Sequence, residues 1–368
     1  MKKNLTLLLK TLLIFLLLVG IWQLVQPLRG LNRVSLYNII FPGRERLPFG
    51  ESPRTAYNFS IGSLDAAMAS HKISAARTEA PNTLRLITIG DSSSWGTLLR
   101  PEETLCGQLN GRQLSDGRTV ACYNLAYPTL SLSKDTMILN RALQFSPDLI
   151  LWPMTMESFP KDKQSDNELV LANYDEYRQL FPDSEAAPAQ DVLSRSLWGQ
   201  RRQAADWLRL QLYGLMWAGT GIDQDYPEDY PAPQTDLEAD NTYHGYEGAL
   251  PDEALSWDIL EKGIRLAGDT PVLIINEPML ISTGENSEIR YNYYYPRAAY
   301  DSWHESLVRR AGEEGWNLLD LWNVLETENF TNSAIHYDAA GASYLAGLTL
   351  EKIGTILNNG PSTTEQTN

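Results

Sequence analysis

Cysteine and histidine are both scarce, two of the first and four of the second in 368 residues. Neither Cys106 nor Cys122 has a partner at ligand spacing, which excludes a zinc-type site. The acidic residues show no ligand spacing either, and no glycine-rich phosphate loop follows a strand, so the sequence implies no metal and no cofactor. Basic charge is in deficit: 30 Lys and Arg stand against 46 Asp and Glu, with no basic stripe. That excludes nucleic acid as a partner, because binding phosphates needs a cationic surface. No internal repeat is visible, which excludes a repeat architecture.

What is present begins with MKKNLTLLLKTLLIFLLLVGIWQLVQPLRG, in which Lys2, Lys3 and Lys10 precede an almost unbroken apolar run from Thr11 to Val25. Counted from Leu5, with Lys10 snorkelling, the run reaches the ~20 residues that a bilayer span needs. A cleaved signal peptide is the rival reading, but bulky Ile21, Trp22 and Leu24 stand where a small-residue cleavage site would follow the apolar core. The expectation is an uncleaved anchor over residues 1–28, single-pass, with the body outside the cytoplasm. Arg29 and Arg33 beyond the span partly offset the N-terminal lysines as orientation signals. In an oxidising compartment Cys106 and Cys122 would close a small loop as a disulfide; two buried thiols are the alternative.

Residues 29–80 read as a polar connector punctuated by Pro and Gly. From Leu84 the pattern turns α/β: LRLITIG, VACYNLA and DLILWPM as strands, with helices near Thr104–Leu114 and across Ser133–Phe145. Short, fully apolar strands separated by helices imply a parallel sheet covered on both faces, over residues 81–357. The alternation breaks from 159 to 268, a span too long for one crossover and read as a helical insertion. Within it Trp207, Leu208, Leu210, Leu212, Leu215 and Met216 form a broad apolar face beside Arg201, Arg202 and Arg209; it is either core or a membrane-surface or lid element. TPVLIINEP then resumes the sheet, a helix near Ala298–Gly312 and the strand WNLLDLW follow, and a last helix runs from about Ala339 to Ile356. The tail, 358–368, reads as disordered.

The stretch LRLITIGDSSSWG runs a buried strand straight into three hydroxyls. A Gly-Asp-Ser turn at the carboxyl edge of a parallel strand places a nucleophile where ligands bind, yet a serine needs a base to take its proton. Of the four histidines, only His336 leaves a strand of the same sheet just before an apolar helix, so it is the expected base. His71 falls in the connector, His244 in the Tyr-rich insertion loop and His304 within a charged helix.

These residues resemble the SGNH, or GDSL, hydrolases. Gly90, Asp91, Ser92, Ser94 and Gly96 match their first block, G-D-S-x-[ST]-x-G, and His336 with Gly341 matches their last. The resemblance implies a flavodoxin-like three-layer α/β/α sandwich with a parallel sheet, interrupted here by the long helical insertion after the third strand, and Ser92 as nucleophile. Asp91 either shares in the chemistry or only organises the turn.

The other blocks depart from the pattern. Asn124, Leu125, Ala126, Tyr127, Pro128 and Thr129 replace the second block, where backbone amides at Ala126 or Thr129 would serve an oxyanion. The third block's asparagine is missing; Thr155, Ser158 and Asn124 are the nearest polar substitutes. Ser333 stands where the family places the acid that orients its histidine, with Asn332 beside it; Asp338 either compensates or caps the final helix. Taken with the N-terminal anchor, the resemblance implies an extracytoplasmic, membrane-anchored serine esterase acting on O-acyl esters, on cell-envelope glycans if the aromatic insertion stacks on sugars. An O-acyltransferase for envelope polymers and a catalytically silent scaffold are the alternatives. Oligomeric state is not legible.

Overall fold

Apolar side chains alternate faces along each central strand, and each set meets its own layer of helices. The computed structural model describes residues 2–41, 43–52, 57–60, 62–165, 167–182, 193, 195–220 and 230–358. Five strands form the central sheet: β1 (Thr83–Thr88), β2 (Thr119–Asn124), β3 (Leu149–Met154), β4 (Val272–Asn276) and β5 (Asn317–Asp320). All pair in parallel, in the order β2-β1-β3-β4-β5. The helices that build the layers and the site are α1 (Lys2–Val25), α2 (Ser92–Trp95), α3 (Leu105–Leu109), α4 (Leu132–Ala142), α5 (Arg201–Thr220), α6 (Trp257–Ala267), α7 (Arg297–Glu314) and α8 (Ala339–Asn358).

Leu84, Leu86, Leu151 and Ile275 pack with Leu109 of α3 and Leu345 and Ile353 of α8. Ile87, Ile150, Trp152 and Ile274 pack with Met137 of α4, Leu260 of α6 and Trp303 of α7 on the other face. The fold is the expected α/β/α sandwich. Its strand order reverses between β1 and β3, and at such a switch point the carboxyl ends of the strands open a crevice.

Three segments differ from their sequence reading. Among the described residues of 29–80, read as a connector, Leu47, Leu64, Ala66 and Ala67 are buried in the body. The same region holds Glu79, whose carboxylate takes two bonds from the buried Arg85 of β1, at 2.6 and 2.7 Å. The insertion reading of 159–268 takes in α6, yet α6 packs on α4 as the crossover helix that a parallel β3 to β4 connection requires. In α5 only part of the apolar face is core: Leu210 is buried, whereas Leu208, Leu212 and Met216 are exposed. The stretch read as the tail lies, apart from Asn358, outside the described residues. Cys106 of α3 and Cys122 of β2 are joined, with Cα atoms 5.4 Å apart. In α1, Lys3–Val25 is long and apolar enough to cross a membrane, with mean hydropathy 2.4.

The Glu79 to Arg85 pair gives a pH-dependent term. The hydrogen bond from Arg85 holds the Glu79 carboxyl down to about 2, from an ordinary 4.5. Its contribution is therefore complete above pH 4.5 and is lost as pH falls from there through about 2. Glu79→Gln should cost about 2 kcal/mol at pH 7 because it leaves a buried guanidinium without its charge partner. Urea melts at pH 7 and pH 3 check this, and the gap between wild type and variant should narrow at the lower pH.

Candidate active site

β1 delivers the chain to its carboxyl edge at Gly90, where φ is +136° and a Cβ would meet Ser94 Oγ at 2.8 Å and the Pro153 carbonyl at 2.9 Å. Only glycine makes that turn without strain. Asp91 then caps α2, its Oδ1 accepting from the Ser93 amide at 2.8 Å. Arg46, from the segment read as a connector, braces the far end of the turn: it donates to the Gly96 and Leu99 carbonyls at 2.8 and 2.9 Å and lies 4.1 Å over the Trp95 ring.

One turn of helix sends the three serines in different directions. Ser94 Oγ donates to Glu277 Oε1 at 3.0 Å, Ser93 is buried beside Glu277 and Tyr337, and Ser92 remains partly exposed. Ser92 Oγ lies 2.8 Å from His336 Nε2, although 244 residues separate them. The other ring nitrogen, Nδ1, lies 2.8 Å from Asn332 Oδ1. An amide oxygen can only accept, so Nδ1 carries the ring proton and the Nε2 lone pair faces the serine hydroxyl. Burial pushes the imidazole down to about 4, so it is neutral at physiological pH.

The parallel sheet and this serine–histidine pair match what the resemblance to SGNH hydrolases implies.

No family model matches the sequence, and no curated protein matches it. Among solved structures it is similar to a member of the lipolytic G-D-S-L family from Veillonella parvula, at 12% identity over 73% of this chain and 97% of that one, TM-score 0.36. A carbohydrate acetylesterase from Sinorhizobium meliloti matches at 12% identity over 74% and 100%, TM-score 0.34. An aryl esterase from M. smegmatis matches at 11% over 74% and 99%, TM-score 0.33. Likeness at this level assigns no activity and no substrate to the chain.

The remaining expected site residues fall into two groups. Asn332 reaches His336, while Ser333 does not: its Oγ accepts from the Tyr293 hydroxyl at 3.3 Å. Asp338 faces away as the cap of α8, taking the Gly341 amide at 2.7 Å. The expected oxyanion donors are largely occupied. Asn124 Nδ2 donates to the Ser94 carbonyl at 2.9 Å and its Oδ1 accepts from the Ala126 amide at 3.1 Å, so both hold the turn together instead of facing a ligand. The Thr129 amide is likewise spent on the Tyr127 carbonyl at 2.7 Å. Among the described residues, the Ser92 amide donates to no backbone or side-chain group, and the Thr155 hydroxyl is buried beside the Tyr295 hydroxyl.

Sequence reasoning missed the buried charges beneath the turn. Lys134 of α4 is fully enclosed, with Nζ donating to the carbonyls of Gly90 at 2.5 Å and Tyr127 at 3.0 Å and pairing with Asp135. It ties the first loop of the site to the second. Burial pushes Asp91 up to about 6, and burial together with the nearby Asp91 pushes Glu277 well above the usual carboxylate range. Both shifts favour the neutral acid, which eases the repulsion between two carboxyl groups under the nucleophile turn. Its position at the carboxyl end of a buried strand, in IINEP, was the signal available.

The other histidines are committed elsewhere. His71 donates to the Glu45 carbonyl and accepts from the Ile73 amide, and burial pushes it down to about 4. His304 binds Asp320, and His244 binds Glu157 and Asp162. Glu157, in the loop after β3, also takes the Tyr243 hydroxyl at 2.6 Å and pairs with Lys163. The loop after β3 is thus bonded to Tyr243 and His244 of the segment read as an insertion.

Proposed function

We propose that the protein is a serine esterase that forms an acyl-enzyme at Ser92 with His336 as base. The observation that carries this is the Ser92–His336–Asn332 chain, two contacts of 2.8 Å with the imidazole in the tautomer needed for proton acceptance. Ser92 Oγ attacks the acyl carbonyl and its proton passes to Nε2. The oxyanion is held by the Ser92 amide and the Thr155 hydroxyl. The intermediate collapses as the imidazolium returns the proton to the leaving alkoxide; water then repeats the sequence on the acyl-serine, releasing the carboxylic acid.

Asn332 stands in for the orienting carboxylate. It fixes the tautomer but offers a dipole, not a charge, to the imidazolium, so turnover is modest. Ser92 is partly exposed, so water reaches the acyl-enzyme, which favours hydrolysis over acyl transfer. The paired Tyr293 and Tyr294, with ring centroids 4.5 Å apart and partly exposed beside Ser333, offer an aromatic face to a sugar. We read the substrate as an O-acyl ester on a glycan, the chain as anchored through α1 and the body as extracytoplasmic; the Cys106–Cys122 pair supports an oxidising compartment. In this reading 1–28 is the anchor and 81–357 carries the reacting residues, with Arg46 from the preceding segment bracing the nucleophile turn.

The test supplies an acetylated oligosaccharide to the full-length protein in detergent, with and without excess unacetylated acceptor. Free acetate should dominate in both. A majority of acetyl groups moved to the acceptor would make the protein a transferase.

A further inference from the structure

Helix α5 is amphipathic in the wrong direction for a surface exposed to water. Its inward side carries Leu210, Gln211 and Gly214: Gln211 bonds the Leu36 amide and the Val34 carbonyl at 2.6 and 3.0 Å, and Gly214 lets the Tyr37 ring approach closely. On the outward side, Leu208, Leu212 and Met216 recur every fourth residue and are 51%, 59% and 53% exposed. Ile39 and Ile40, on the helix that α5 packs against, are exposed as well, as are Leu193, Leu197 and Trp198 just before α5. A soluble helix places charge at such positions.

The surface is continuous with the end of α1. Trp22 Nε1 donates to Gln200 Oε1 at 2.9 Å, Gln200 Nε2 to Gln26 Oε1 at 2.7 Å, and Gln26 Nε2 to the Arg195 carbonyl at 3.1 Å. Arg29, four residues beyond α1, pairs with Asp175 at 2.5 Å. The apolar face therefore begins where the candidate span leaves the bilayer. Its border has the residues that suit a membrane interface: Trp198 is 69% exposed with Arg201 4.9 Å over its ring, and Arg202 and Arg209 flank the apolar stripe.

We infer that the outward face of α5, with Ile39 and Ile40, lies in the lipid headgroup boundary and gives the body a second attachment beside α1. The inference rests on the reading of α1 as a membrane span. An interfacial helix buries its apolar face a few ångströms into the boundary and keeps its basic stems outside. Two attachments fix the tilt of the body, where a single span would leave it free to swing.

The only two cysteines are paired, so an introduced cysteine takes a nitroxide label alone. The full-length protein, reconstituted in phosphatidylethanolamine and phosphatidylglycerol vesicles, would carry the label at Leu212→Cys, at Leu13→Cys within α1 or at the exposed Val308→Cys of α7 as the aqueous reference. The ratio of collisions with oxygen to collisions with a water-soluble nickel complex should be several-fold higher at Leu212 than at Val308. A ratio at Leu212 equal to that at Val308 overturns the docking, whatever Leu13 reads. Low access to both reagents at Leu212 also overturns it, in favour of a protein partner. A water-like value at Leu13 overturns the anchor reading and with it the second attachment, and the value at Leu212 distinguishes that failure from a failure of the docking itself.

Discussion

Replacing Ser92 by alanine is expected to lower kcat for ester hydrolysis by about 10⁴-fold or more, the scale on which loss of a nucleophile abolishes covalent catalysis. The neighbouring hydroxyls cannot take over. Ser93 points into the interior beside Glu277 and Tyr337, and Ser94 Oγ is committed to Glu277, so neither meets the imidazole. Stability should change little, because Ser92 is partly exposed and the turn is held by Gly90, the Asp91 cap and Arg46. His336→Ala should fall nearly as far, and the double variant scarcely further, since the two residues act as a unit. Initial rates with a short-chain aryl ester, beside a melting curve for each variant, check the expectation.

Asn332→Asp is expected to raise activity. In the serine-protease template, exchanging the carboxylate for an amide costs about 10⁴ in kcat, partly through the wrong tautomer. Here Asn332 Oδ1 already accepts from Nδ1, so the tautomeric part of that loss does not arise. What a carboxylate adds is charge stabilisation of the imidazolium formed during attack, and a gain of about 10- to 100-fold at pH 7 is the expected scale. The same change moves the acid limb of the pH profile. In the wild type burial holds His336 at about 4, so the base stays unprotonated and activity persists as pH falls until it passes through that value. A carboxylate beside Nδ1 favours the charged ring and raises its pKa, so the variant should lose activity at a higher pH than the wild type while exceeding it at neutral pH. A kcat/KM profile for both proteins separates this from a merely structural effect, which would lower the curve without moving its limb.

The sheet and the Ser92–His336 pair were legible because both follow from local pattern. Apolar strands ending in a Gly-Asp-Ser turn and in a histidine before the last helix fix which edge each residue occupies. Asn332 was harder to place than Ser333 because the orienting contact depends on how the loop folds. Phe330 bridges Tyr337, and Thr331 donates to the His336 carbonyl, which brings position 332 and not 333 onto the ring. That Asn124, Ala126 and Thr129 are engaged elsewhere was hidden for a similar reason. Whether the Ala126 amide is open depends on the rotamer of Asn124, which the sequence does not carry. Arg46 escaped notice because its partners lie about fifty residues away, in a segment whose composition looks like a linker.

The most direct test of the central claim is fluorophosphonate labelling of the full-length protein at neutral pH, with the modified residue located by mass spectrometry of a digest. The account predicts one label, on Ser92, lost in Ser92→Ala and strongly slowed in His336→Ala. A protein that remains unlabelled, or that labels at Ser92 at an unchanged rate without His336, would contradict it.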